Sequence, residues 1–370
     1  MSAITVGGDL VHYEVLGRGG KPVILAHSWL GSWRYWIPTM RMLQLKFRVY
    51  AVDLFGYGDS SKNPARYGID HQVLLLDELM KQLGLPKVAM IGHGLGAQVM
   101  TEFASREPDR VARILICNAP LFNVPDLKNR EPSQVRRGML TGQNAQQPLK
   151  SGIDEPLADI STLDKDQVQN NADSVADPTV LSASNVTIRN PRMIDRDKLR
   201  EAALARGAAI MRGDDQLEPS IALTGSGSSK NQLSDALDDS MDALLAKCFK
   251  KSEPEYDKLQ SDVERSDDDV LRYSSHGFDA GAMLDKLRLL DIPAVVVHGN
   301  DDPIIKLPGD EVWDYITLNK DDRLLPVPLP SVRHFPMLEA ETFTRLVSSF
   351  LETPDISKIE VKERWRRRAR

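Results

Sequence analysis

The sequence predicts an α/β fold, a mainly parallel sheet flanked by helices and interrupted by a large insertion, on three observations. Short apolar runs suited to buried strands alternate with helical stretches of about ten to fifteen residues, as βαβ units do. One such run, Val88 to Ile91, passes into a small-residue helix through Gly92-His93-Gly94-Leu95-Gly96. The alternation stops near Leu121 and resumes after Phe278.

In order, Ile4 to Val6, Gly7-Gly8-Asp9 and Leu10 to Val15 form a hairpin closed by a glycine turn. Val23 to Ala26 is a short strand running into His27-Ser28-Trp29-Leu30-Gly31-Ser32, and Ser32 caps an aromatic-rich helix over Trp33 to Leu45. The strand Phe47 to Val52 empties into Asp53 and the loop Gly56-Tyr57-Gly58-Asp59-Ser60. Asp70 caps a helix over His71 to Leu83, with Val73, Leu74, Leu76, Leu79 and Leu83 as its apolar stripe. After the helix that follows Gly96, Ala112 to Cys117 is another buried strand.

Within the insertion, Asp197 to Met211 and Leu233 to Phe249 read as helices on either side of the flexible Thr224-Gly225-Ser226-Gly227-Ser228-Ser229. Residues 141–185 are rich in Gln, Asn, Asp and Ser. Ala282 to Leu290 is then helix, Pro293 to Val297 and Arg323 to Val327 are strands, and Phe343 to Leu351 is a closing amphipathic helix. The segment Arg364 to Arg370 is a basic tail, read as a frayed terminus.

With 370 residues, 41% of them apolar and 27% charged, the chain has enough material for one large domain with an insertion, or for two domains. A net charge of −6 argues against nucleic acid as the main partner. No run of 18 or more apolar residues occurs, and the opening residues lack the apolar core of a signal peptide, so a cytoplasmic location is expected. Cys117 and Cys248 fit neither a zinc spacing nor a disulfide framework and read as buried thiols. The acidic insertion has no Asp-x-Asp-x-Asp-Gly loop, so no calcium site is expected either. No other cofactor is implied.

The glycine-flanked unit between strand and helix resembles the nucleophile elbow of the α/β-hydrolase family. Residues 1–120 and about 280–352 resemble that family, which implies a mainly parallel eight-stranded sheet with helices and a mostly helical cap over 121–279. Residues 353–370 follow as the tail. By resemblance, the elbow centre normally carries the attacking Ser; here it is Gly94. A residue with a Cβ at that strained turn costs roughly 1 to 3 kcal/mol, and glycine almost none, so the turn can persist without the attacking atom. The resemblance further implies Asp302, in Gly299-Asn300-Asp301-Asp302-Pro303, as the acid, with Asp301 the neighbouring alternative, and His334 as the base. It makes the backbone N–H groups of Trp29 and Leu95 an oxyanion hole and places Ser28 and His93 beside the substrate, with Ser28 where Gly is usual. His12, His71, His276 and His298 read as structural.

Three readings follow. In the first, an enzyme admits water into the space left at Gly94 and uses Asp302-oriented His334 as general base on a small, mostly apolar carbonyl or ester-type compound. In the second, the chain is a pseudoenzyme that binds a ligand or a protein. In the third, Gly94 is an engineered replacement that disables an esterase.

Overall fold

The computed structural model describes residues 2–132, 231–320 and 322–359. Contacts divide the chain into residues 1–148 with 229–370, and residues 149–228. The second unit lies outside the described residues, as do the expected helix at 197–211, the 141–185 stretch, the 224–229 linker and the basic tail.

Eight strands make one sheet: β1 (Ser2–Val6), β2 (Asp9–Leu16), β3 (Lys21–Ala26), β4 (Phe47–Val52), β5 (Val88–His93), β6 (Val111–Cys117), β7 (Ala294–Gly299) and β8 (Leu324–Leu329). Their spatial order is β1-β2-β4-β3-β5-β6-β7-β8. β1 and β2 pair antiparallel through the expected hairpin, and Gly7 and Gly8, at φ +58° and +91°, supply the positive φ that its two-residue turn requires. β2 pairs antiparallel with β4, and from β4 to β8 every pairing is parallel. Central strands buried on both faces read as unbroken apolar runs, and every residue of β5 and β7 is buried.

The helices are α1 (Ile37–Leu43), α2 (Ile69–Gln82), α3 (Leu95–Arg106), α4 (Gln232–Ala236), α5 (Met241–Cys248), α6 (Pro254–Val263), α7 (Val270–Ser275), α8 (Ala280–Leu289), α9 (Asp310–Thr317), α10 (Pro336–Glu339) and α11 (Glu341–Glu352). The expected helix from Trp33 is a 3₁₀ turn, Trp33–Trp36, capped by Ser32, followed by α1 with Pro38 in its first turn. Proline lacks the N–H that a continuous helix would need there. In α2 the cap is Gly68 rather than Asp70, which sits in the first turn and accepts a hydrogen bond from Arg106. Leu75 and Met80 are buried in its stripe, while Leu74 and Leu83 are only half-buried. The helix expected over Leu233 to Phe249 is two, because the Ser240 side chain accepts from Ala243 N–H and starts α5 afresh. No helix among the described residues is long and apolar enough to cross a membrane.

β3 marks the point where the strand order reverses, since β4 lies on one side of it and β5 on the other. Open α/β sheets bind ligands at such a point, outside the carboxyl ends of the strands. Ala26 of β3 pairs with Gly92 of β5, so Ser28 and Gly94 each stand two residues beyond a paired position on adjacent parallel strands.

The glycines flanking residue 94 keep this crossing tight. A Cβ on Gly92 would lie 2.5 Å from the Gly96 carbonyl oxygen, and one on Gly96 would lie 2.5 Å from that of Ala26. Gly92→Ala and Gly96→Ala should each destabilise the fold by about 1–3 kcal/mol or more, read as a lower urea midpoint. Midpoints at the wild-type value would show that strand and helix do not meet this closely.

Candidate active site

Gly94 is the N-cap of α3, with φ +50° and ψ −108°, so the strand turns into the helix through a conformation that disfavours a Cβ. The position is not vacant, contrary to what the glycine suggests. A Cβ at residue 94 would stand 2.0 Å from Ser28 Oγ, 2.8 Å from Ser28 Cβ and 2.9 Å from Trp29 Cζ3. The hydroxymethyl group of Ser28 and the edge of the Trp29 indole take the space in which water was expected. Ser28 lies there because β3 and β5 end side by side.

Ser28 Oγ is 2.9 Å from His334 Nε2, and His334 Nδ1 is 2.9 Å from Asp302 Oδ2. All three residues are buried. Asp302 sits three residues beyond β7; its Oδ1 accepts the Ile304 and Ile305 N–H groups and its Oδ2 also accepts from the Asn118 amide. Asp301 is exposed and takes no such place. Burial alone would raise the Asp302 carboxyl, but the His334 ring, its hydrogen bond, His298 and the Asn118 amide bring it down to about 2. An ionised Asp302 accepts from His334 Nδ1–H, which leaves Nε2 to accept the Ser28 hydroxyl proton. Glu339 accepts from Arg333 and from Phe335 N–H, so both neighbours of His334 are braced.

The backbone of Ser28 is fixed on both sides. Its N–H donates to Tyr35 Oη at 2.7 Å, and its carbonyl accepts from His27 Nδ1–H at 2.7 Å. Leu54 N–H donates to His27 Nε2 at 3.0 Å, so both nitrogens of that ring are committed. Burial lowers the pKa of His27 and keeps it neutral. His93 donates from Nε2–H to the His334 carbonyl at 2.7 Å, and Tyr35 Oη–H donates to His93 Nδ1 at 2.9 Å. Burial, with His334 alongside, pushes His93 well below 6.5. With both nitrogens engaged, His93 has none to offer a substrate, and its expected place beside the substrate gives way to one in this ring of bonds.

Leu95 and Trp29 are fully buried, and neither backbone N–H has a hydrogen-bond acceptor among the described residues. Buried N–H groups without partners are rare in folded proteins. Leu95 also opens α3, where the helix dipole favours negative charge.

Asp53 accepts from Trp33 N–H, Asp59 N–H and His12 Nδ1–H. His12, Asp53 and Asp59 lie close enough together to ligate a metal, but those donors and the Arg34 and Arg265 partners of Asp59 already occupy the carboxylates. Beside the Asp302 loop, an open cavity of about 480 Å³ is lined by Leu121, Phe122, Ile304 and Leu307, with Lys247 and Lys306 among its polar residues.

Sheet order, elbow and dyad together define an α/β-hydrolase fold. The sequence pattern of the family described as alpha/beta hydrolase fold matches residues 21–173. The soluble epoxide hydrolase of Corynebacterium sp. (strain C12) is 38% identical over 113 residues, 30% of this chain and 38% of that protein. Epoxide hydrolase 4 of Homo sapiens is 30% identical over 128 residues, covering 34% of this chain and 35% of that protein. The chain thus spans little more than a third of the length of these two relatives. A hydrolase from Pseudomonas aeruginosa PA01 superposes with a TM-score of 0.55 at 16% identity, covering 95% of this chain and 98% of that one, which establishes likeness of fold. The matches support the α/β-hydrolase family.

Two outcomes test this geometry. Because the folded pKa of Asp302 lies below its ordinary 3.8, its ionisation stabilises the fold fully above that pH, and the contribution fades as pH falls through about 2. Asp302→Asn should flatten the acid limb of a urea-stability profile, and an unchanged limb would place the carboxylate elsewhere. Tyr35→Phe strands the Ser28 N–H and His93 Nδ1 in a dry site, at a cost of about 1–3 kcal/mol each, so its urea midpoint should fall; a neutral substitution would break the ring of bonds as drawn.

Proposed function

We propose that this chain is a hydrolase for a small, mostly apolar carbonyl or ester-type compound. In this reading His334 is the general base that deprotonates the attacking oxygen, Asp302 fixes its tautomer, and the N–H groups of Trp29 and Leu95 receive the oxyanion. The observation that carries it is the buried Asp302–His334 pair, which holds an imidazole lone pair at the end of β3 and β5 with a hydroxyl 2.9 Å away. The Trp29 and Leu95 N–H groups support it, since neither has an acceptor among the described residues and both are available to an oxyanion. Relatives named as epoxide hydrolases agree with hydrolysis of a small molecule. Substrate selectivity would belong to the insertion at 121–279.

Hydrolysis of short-chain aryl esters, followed by release of the phenol, tests the reading. His334→Ala should lower kcat by roughly 10³-fold or more, and Asp302→Asn by roughly 10²- to 10⁴-fold, because an amide no longer selects the working tautomer. Unchanged turnover in His334→Ala would retire the general base. Ligand-induced stabilisation that survives His334→Ala, with no turnover by the wild type, would make the chain a binding module instead.

A further inference from the structure

We propose that the nucleophile is Ser28, on the loop after β3, which places its hydroxyl where the elbow residue would otherwise carry one. The proposal rests on the hydrolytic reading above and identifies its attacking oxygen. Residues 28 and 94 have exchanged roles: a side chain on the β3 loop replaces one on the β5 elbow. The register Ala26↔Gly92 puts the two loops at the same height, so one can substitute for the other. Only glycine at 94 leaves room, because a Cβ there would collide with Ser28 Oγ at 2.0 Å. The hydroxyl is already on the imidazole, 2.9 Å from the nitrogen that is free to take its proton. Its backbone is clamped by Tyr35 and His27, which confines Oγ as a nucleophile requires.

Ser28 Oγ attacks the ester carbonyl carbon while its proton passes to His334 Nε2, and the former carbonyl oxygen becomes an oxyanion at the Trp29 and Leu95 N–H groups. Collapse of the adduct breaks the bond to the leaving alcohol, which departs with the proton from Nε2 and leaves an acyl ester on Ser28. Water then attacks that ester, gives its proton to Nε2 and releases the acid, and the proton returns to Ser28 Oγ. Ester and water become acid and alcohol, with the enzyme restored.

A fluorophosphonate tests this directly, since it forms a stable phosphorus–oxygen bond with an activated serine and expels fluoride. One adduct on the wild type, mapped by peptide mass to Ser28 and absent from Ser28→Ala and His334→Ala, is the expected result. Ser28→Ala should also lower kcat for aryl esters by roughly 10³-fold or more. Turnover that stops in His334→Ala but persists in Ser28→Ala would overturn the nucleophile and leave the hydrolytic reading standing, with water as the attacking oxygen. Absence of turnover in the wild type would instead remove the hydrolytic reading and the nucleophile with it. The double exchange Ser28→Gly with Gly94→Ser is the control for access, because Gly94→Ser alone would clash. If the double exchange is labelled at position 94 while the wild type takes no adduct, the pocket admits the probe and Ser28 is not its target, which overturns the proposal. A wild type and a double exchange that both stay unlabelled overturn it as well.

Discussion

A closed ring of hydrogen bonds ties the end of β3 to the loop after β8, and the rest of the site depends on it. Ser28 reaches His334 twice: directly through Oγ, and through Tyr35 and His93 to the His334 carbonyl. Each donor in the ring meets one acceptor, so each proton has a defined place. That definition requires His93 to stay neutral and Tyr35 to stay a phenol. Burial drives both that way, lowering the imidazole pKa and raising that of the phenol. Satisfied buried networks of this kind hold one arrangement, because each alternative leaves a polar atom dry and unpaired.

The sheet makes the ring possible. Parallel strands in register deliver their following loops to a common edge, and the strand order reverses around β3, the place where open α/β sheets bind ligands. Asp302 arrives beyond β7, His334 beyond β8, and Asn118 beyond β6, where its backbone takes a positive φ of 45°. Asn118 then supplies the amide that completes the hydrogen bonding of Asp302 Oδ2.

Much of this was legible from residue order. Strands buried on both faces announce themselves as apolar runs, whereas Asp302 and His334 were picked out by the resemblance to the α/β-hydrolase family. The hairpin was readable from Gly7-Gly8-Asp9. The partnership between Ser28 and His334 was not, because it depends on the register of β3 against β5, which no local pattern encodes. Ser28 and Gly94 were each visible as departures from the expected motif, yet their reciprocity required knowing that the loops touch. Tyr35 looked like one more aromatic of a helix, and His93 like a substrate neighbour, because sequence does not show which of its nitrogens are already bound. The helices α6 and α9 escaped notice for another reason. They are short, at 10 and 8 residues, and α6 is largely polar, with Tyr256, Leu259 and Val263 as its buried apolar residues.

The glycine at the centre of the elbow also changes what the scaffold must bear. An elbow serine holds its backbone in a region that L-residues resist, and the surrounding fold has to enforce that posture continuously. Here the same left-handed bend is made by a residue indifferent to it, while the Ser28 hydroxyl, 2.9 Å from the imidazole, hangs from a neighbouring loop. On the proposal that Ser28 is the nucleophile, conformational tension and chemistry, joined in a single residue of an ordinary elbow, fall to two residues. The hinge still leans on the β3 loop, because Gly96 N–H donates to the His27 carbonyl at 2.9 Å, so a change in that loop is felt at the junction of strand and helix even though residue 94 itself is at ease.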